Sequence, residues 1–274
     1  MMQGPFMSAA AVLEHNRRAW DRLAAAQSPL ARPAVDQAFN DPRGTLGSGG
    51  SPERNWLPER LDGLNVLCLA AGGGKHGPLY AAAGAHVTVV DLSPAMLALD
   101  REVARERRID LEILQGSMDD LGMLSAGRFD LVIHPVSTCY LPRVDRVFTE
   151  VARVTKEQGL YVSQHKSPIN LQATIEPVAG GRYLVRHPQM RSEPLPAELP
   201  SRLREPGTQE FIHSLSALLG GICRAGFLIE DVYEPDHSQP GASIGSFAHR
   251  AAFVPPYIRI LARRRAITRG NAGA

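Results

Sequence analysis

Apolar positions along this chain follow two periods, and their succession lays out alternating strands and helices. Val66 to Leu69 is an uninterrupted apolar run of the kind that fills a central strand covered on both faces. Gly72, Gly73 and Gly74 follow at once, then a helix of small residues, then His86 to Val90 as a second strand ending on Asp91. Ser93 to Arg107 carries an apolar stripe at Met96, Leu97 and Val103, with Ser93 as the N-cap and Pro94 at the first helical position. Further strands are expected at Ile109 to Leu114, Phe129 to Ile133, Leu160 to Gln164, Phe227 to Tyr233 and Tyr257 to Ala262. Between them fall a turn and short helix at Gly116 to Leu124, an amphipathic helix at Arg143 to Thr155, a turn at Glu157, Gln158 and Gly159, and a helix at Thr208 to Ala225. Strands alternating with helices in this order predict an α/β fold, with a doubly wound, mostly parallel seven-stranded sheet.

Two stretches break that rhythm. Ser8 to Gln27 reads as a helix with Val12, Leu13, Ala19, Trp20 and Leu23 near one face, either packed on the core or lying over a site as a lid. Ser28 to Arg60 follows it, irregular and rich in Pro and Gly. Lys166 to Pro206 is the second, with repeated prolines and a short hairpin around Gly180 and Gly181; Arg182 and Tyr183 are candidate pocket walls there. The chain thus divides into an N-terminal helix and lid segment (1–60), a first core half (61–165), an insertion after the fifth strand (166–206), the rest of the core (207–263) and a basic tail (264–274). Arg263, Arg264, Arg265 and Arg269 are expected to be solvated and mobile.

Composition narrows the function classes. The 274 residues, 44% hydrophobic and 21% charged, suffice for one large core. A formal net charge of +2 gives no reason to expect a nucleic-acid partner. Cys68, Cys139 and Cys223 are far apart in apolar contexts, which fits buried thiols in a reducing compartment and neither a disulfide framework nor a metal motif. No run approaches the roughly 18 apolar residues of a spanning helix, and the first residues lack a basic segment ahead of an apolar one. A cytoplasmic monomer or homodimer without a membrane partner is expected.

The chemistry concentrates between Val66 and Asp91. Residues without a Cβ let the backbone approach a ligand, a helix N-terminus favours electronegative groups, and a strand-end carboxylate accepts both hydroxyl protons of a ribose. Gly72-Gly73-Gly74-Lys75-His76-Gly77 matches the G-x-G-x-x-G of dinucleotide sites. In those sites the acid lies about 20 residues beyond the glycines, whereas Gly77 precedes Asp91 by only 14. Reading the turn from Ala70 to Gly74 restores a normal strand, turn and helix length.

In that register the chain resembles the class I S-adenosylmethionine-dependent methyltransferases, whose usual forms are LDLGCGTG and VDxSxxML. Here they stand as Leu67-Cys68-Leu69-Ala70-Ala71-Gly72-Gly73-Gly74 and Val90-Asp91-Leu92-Ser93-Pro94-Ala95-Met96-Leu97. QGSMDDL from Gln115 resembles the segment that frames the adenine, FDLVI running into His134-Pro135 the fourth-strand motif, and EVARVTKEQGLYV the helix-to-strand motif ending in PGG. LLGGICRAGFLIEDVYEP, from Leu218 to Pro235, resembles the helix and sixth strand that close the fold, so the likeness spans nearly all of Leu64 to Arg263. The family's first-strand acid is Cys68 here, its first glycine is Ala70 and the acid after the adenine-segment glycine is Ser117, with Asp119 a nearby substitute. Hydrogen bonding around the turn must therefore be arranged differently.

The resemblance implies a Rossmann-like fold and S-adenosylmethionine as cofactor, held by Ala70, Gly72, Gly74, Asp91, Leu92, Ser117, Met118, Asp119 and His134, with Leu92 and Met118 on the two faces of the adenine. Methyl transfer to a small-molecule nucleophile needs in-line alignment and exclusion of water, and no metal, because the sulfonium methyl is already activated. Where the acceptor carries a proton a base helps; His165, ending the fifth strand at the ligand-binding edge, is the first choice, with His134 and Tyr140 as the other catalytic candidates. His213 is expected to pack. Two alternatives remain: an NAD(P)-dependent oxidoreductase, favoured by the G-x-G-x-x-G string, and a non-catalytic cofactor-binding module, favoured by the altered turn. A nucleobase methyltransferase is disfavoured, since His134-Pro135-Val136-Ser137 lacks the Asn/Asp-Pro-Pro-aromatic motif.

Overall fold

The computed structural model describes residues 8–47, 56–198 and 201–266. Strands β1 (Asn65–Leu69), β2 (His86–Asp91), β3 (Glu112–Gln115), β4 (Phe129–His134), β5 (Thr155–Lys166), β6 (Phe227–Tyr233) and β7 (Tyr257–Arg264) form one sheet in the order β3-β2-β1-β4-β5-β7-β6. Neighbours pair in parallel except β7, which is antiparallel to both β5 and β6. Helices α1 (Ala9–Ala25), α2 (Pro42–Gly47), α3 (His76–Ala82), α4 (Pro94–Arg107), α5 (Asp145–Val154), α6 (Pro168–Gln172), α7 (Leu215–Arg224) and α8 (Phe247–Ala251) surround it. The strand order reverses between β1 and β4, so the crevice beyond their carboxyl ends is the topological switch point where open α/β sheets bind ligands.

Strand parity sorts the core into two layers. Val66, Cys68, Leu131, Ile133 and Val162 pack toward Tyr80 and Leu97 on the α3 and α4 side. Leu67, Leu69, Val132 and Tyr161 pack toward Phe148, Leu218 and Ile222 on the α5 and α7 side. All four residues from Val66 to Leu69 are fully buried, as a parallel strand covered on both faces requires. The same parity decides which side each functional side chain serves.

Some elements depart from the pattern reading, each for a local reason. The turn expected at Glu157 to Gly159 is absorbed into β5, where pairing with β4 shifts register between Phe129 and Leu131 and Gln158 takes φ 63°. Gly116 to Leu124 turns without a helix, because side chains of α5 satisfy its backbone. Glu150 accepts the Leu121 N–H at 2.9 Å, and Arg153 donates to the carbonyls of Leu121 and Leu124 at 2.7 and 2.8 Å. Residues 208–213 run extended, held by Asn16 on Gln209 and by the Phe211 N–H on the Cys139 carbonyl at 2.7 Å, so α7 starts only after the Ser214 cap. Arg263 and Arg264 are not a solvated tail but the end of β7: Arg263 pairs with Glu230 at 2.5 Å, and Arg264 donates to the Ala152 and Gly226 carbonyls. Arg269, like residues 48–55 of the N-terminal segment, lies outside the described residues. Cys68 and Cys139 are buried but Cys223 is exposed, and all three are free.

The insertion after β5 is tied to the sheet by buried ions. The Lys166 ammonium donates to the Leu203 carbonyl at 2.8 Å and to Glu210 at 2.6 Å and pairs with Glu205, while Arg204 pairs with Glu210. Burial works against the charge on Lys166, but Glu205 and the other anions hold its pKa above the ordinary lysine value. The expected hairpin is present as bridges from Val178 to Arg182 and from Ala173 to Val185. Among the described residues no helix is long and apolar enough to cross a membrane.

Candidate active site

The carboxyl ends of β1, β2 and β4 and the loop after β3 enclose a cavity roofed by α1. Its floor begins at Ala70, whose φ of 48° is the left-handed conformation that glycine adopts freely and alanine only at a cost of about 1–2 kcal/mol. At Gly72 a Cβ would stand 3.0 Å from the Met96 Cβ and 3.1 Å from the Asp91 Cβ, so any larger residue would need these neighbours to give by a few tenths of an ångström before the turn could close onto β2. Asp91 fixes that closure: one carboxylate oxygen accepts the Gly72 N–H and the other the Ser93 N–H, both at 2.9 Å. Burial pushes the Asp91 pKa up and these N–H groups pull it back. The carboxylate lines the cavity with acceptor capacity to spare.

The roof is positioned by polar contacts from α1. Asn16, buried on the inner face, donates to the Tyr140 carbonyl at 2.9 Å and to that of Gln209 at 3.0 Å. Asp21 accepts the Ser93 hydroxyl at 2.6 Å, joining α1 to the start of α4. Trp20 meets the Tyr140 ring edge-on at 5.6 Å. Leu92, Ser117 and Met118 form the wall beyond β2 and β3, and Pro135, Val136 and Ser137 the wall beyond β4. Ser117 donates its hydroxyl proton to Asp119.

Of the residues singled out from the sequence, the structure gathers Ala70, Gly72, Asp91, Leu92, Ser117, Met118 and Tyr140 around this one cavity. Asp119 stands behind Ser117, and Gly74, with φ 70°, faces Val103 and Pro33. His134 and His165 lie beneath the wall, on the α5 side of the sheet. His134 hydrogen-bonds to Tyr161 Oη at 2.8 Å and Ser137 Oγ at 2.6 Å; His165 bonds to Thr138 Oγ1 at 2.8 Å and Ser163 Oγ at 2.9 Å. Burial pushes the His134 pKa down to about 3 and that of His165 well below its ordinary value. His213 donates to the Thr138 and Leu141 carbonyls, and Tyr183 bonds His249 away from the cavity. Among the described residues no group of three His, Cys, Asp or Glu side chains is placed to hold a metal.

Two residues escaped the pattern reading. Asp100, fully buried on α4, accepts the Gly73 N–H at 2.8 Å, supplying from a helix the carboxylate that Cys68 does not supply from β1. Among the described residues its other oxygen has no partner, and burial raises its pKa to about 7. The signal was present: Asp100 falls three and four positions after Leu97 and Met96, on the helix's apolar face. His76, read only as a variable position between glycines, opens α3 and lines the cavity beside the turn.

A model of the methyltransferase domain family matches residues 67–163, from the first strand through most of β5. The chain is 34% identical over 232 residues to the uncharacterized methyltransferase YbaJ of Bacillus subtilis, covering 82% of this chain and 91% of that protein. It is 31% identical over 191 residues to the ubiquinone/menaquinone biosynthesis C-methyltransferase UbiE of Methylobacterium nodulans, covering 61% and 73%. An S-adenosylmethionine-dependent methyltransferase of Mesorhizobium loti superposes with a TM-score of 0.59 at 25% identity, over 76% of this chain and 94% of that one. With the seven-stranded order, the strand-end acid and these relatives in agreement, the chain belongs to the class I S-adenosylmethionine-dependent methyltransferases.

Proposed function

We propose that the protein methylates a small-molecule nucleophile and that the cavity beneath α1 is where it holds S-adenosylmethionine. The residues present fit that group. Asp91 offers a carboxylate at the carboxyl end of β2, Gly72 keeps the floor free of a side chain, and Leu92 and Met118 supply apolar surface on the adenine side. The observation that carries the reading is Asp91, held by two backbone N–H groups and still open to the cavity. Bound S-adenosylmethionine supplies an activated methyl group on a sulfonium.

The chain's own part is alignment and dryness. Trp20 and Leu13 on α1 cover the cavity, so α1 acts as a lid, and the extended run 208–213 helps hold it through Gln209. His134 and His165 brace the 135–140 loop from beneath by way of Ser137 and Thr138, and Asp119 orients the Ser117 hydroxyl; Tyr140 contributes wall. The test is calorimetric titration of S-adenosylhomocysteine into the wild type and Asp91→Ala. Losing charge-assisted hydrogen bonds worth about 1.5–3 kcal/mol should weaken binding roughly 10- to 150-fold. An unchanged dissociation constant in a folded variant would place the ribose elsewhere.

A further inference from the structure

A second cavity, of about 530 Å³, adjoins the first on the α3 side of the sheet, and His76 is the residue that both walls share. That volume lies within the roughly 300–1,000 Å³ of small-molecule sites. Its flat apolar surface comes from Trp56, Tyr80, Ile133 and Val162, the last two presented by strand parity on the face opposite His134 and His165.

Three polar side chains of this cavity have no hydrogen-bond partner among the described residues. Among the described residues the His76 imidazole, the Tyr80 hydroxyl and the Gln164 carboxamide make no hydrogen bond, although Tyr80 is only 3% exposed. Their polar atoms are not sealed from solvent, so all three stand open to hydrogen-bond a ligand that enters the void, the convergence of a few polar groups on apolar walls that marks a small-molecule site. The charges are one-sided as well. Among the described residues Arg32 and Lys75 line the cavity without an ion pair and no carboxylate lines it, while Arg259 lines it with its guanidinium 5.4 Å from the Trp56 ring.

We propose that this cavity receives the methyl acceptor, that the acceptor is a small aromatic acid carrying a protonated nucleophile such as a hydroxyl, and that His76 takes the nucleophile's proton. The inference rests on the first cavity being the cofactor site. The anionic group is drawn to Lys75 and Arg32, the ring lies against Trp56 and Tyr80, and the nucleophile stands at the shared wall. In the transfer, a lone pair of the nucleophile forms the bond to the methyl carbon and the C–S electron pair stays on sulfur as a neutral thioether. The proton passes to the imidazole and from there to solvent. Burial, with Lys75 nearby, lowers the His76 pKa to about 4, so the ring is neutral and able to accept a hydrogen bond across the neutral range.

The experiment titrates 4-hydroxybenzoate, 4-hydroxyphenylacetate and indole-3-carboxylate, each beside its uncharged amide, and benzoate, into the protein saturated with S-adenosylhomocysteine. At least one acid should bind tenfold or more tightly than its amide, and Lys75→Ala should remove most of that preference. Benzoate should bind more weakly than 4-hydroxybenzoate, and His76→Asn should abolish the difference. Acids and amides binding alike, no binding by any acid, or a preference untouched by Lys75→Ala would overturn the proposal. Titrating S-adenosylhomocysteine into the same samples separates the two readings: if it fails to bind, the cofactor site is wrong, and if it binds while the acids show no preference, only the acceptor site is wrong.

Discussion

Replacing Asp100 by Asn removes a buried charge from beneath the glycine turn while keeping a carbonyl oxygen for the Gly73 N–H, now met at 2.8 Å. The Asn amide nitrogen would take the position of the oxygen that has no partner. Burial raises the Asp100 pKa from 3.8 to about 7, so the folded protein holds a proton there that the unfolded chain gives up near pH 4. The sign follows directly: below the unfolded pKa the side chain is neutral in both states and adds no penalty. As pH rises, the unfolded state ionises first and is favoured, and the penalty is complete once pH exceeds the folded value. At about 1.4 kcal/mol per pH unit over this interval, the full penalty is about 4 kcal/mol. Urea denaturation of wild type and Asp100→Asn at pH 5, 6, 7 and 8 should show the wild type losing about 3 kcal/mol relative to the variant between pH 5 and 8, nearly all of it below pH 7. Asp100→Ala, which leaves the Gly73 N–H only its longer bond to the Met96 carbonyl at 3.1 Å, should be less stable than Asp100→Asn by about 0.5–1.5 kcal/mol, the net worth of one hydrogen bond. Parallel stability curves for wild type and Asp100→Asn across that range would refute the buried, proton-holding carboxylate.

Ala70→Gly should relieve the left-handed strain at φ 48°. Against the entropy lost by a glycine the net gain is about 0.5–1 kcal/mol, read as a rise of about 1–3 °C in Tm for a chain of this size; a lower Tm would mean that Ala70 is not strained. Lys166→Met leaves Glu205 and Glu210 buried without their shared cation and should cost about 3–5 kcal/mol in chemical denaturation, with partial recovery on adding Glu205→Gln. A loss under about 1 kcal/mol would show that water reaches the cluster.

The cofactor half of the fold was legible because its signals are local. A fully apolar strand, a glycine turn and a strand-end acid are neighbours in sequence, so the pattern from Val66 to Leu97 maps onto β1, α3, β2 and the start of α4. The side chains that answer the family's missing groups come from elsewhere. Asp100 reaches back from α4 to the turn, and nothing in one-dimensional spacing says that a helix carboxylate will meet Gly73. His165 and His134 were singled out by position at the ligand-binding edge, but edge position does not specify the face. Parity turns both toward Tyr161 and Phe148, while Gln164, one residue away, faces the second cavity. The helix expected from Thr208 gave way to an extended run because Asn16, nearly two hundred residues earlier, takes its backbone groups. The insertion too is held by long-range partners that spacing does not show, through the Lys166 cluster.

The most direct measurement is a crystal structure of the protein with S-adenosylhomocysteine. The account predicts the ribose hydroxyls on the Asp91 carboxylate, the adenine between Leu92 and Met118, and the sulfur on the side of the cavity bounded by His76. The ligand seated outside the cavity beneath α1, or its ribose away from Asp91, would contradict it.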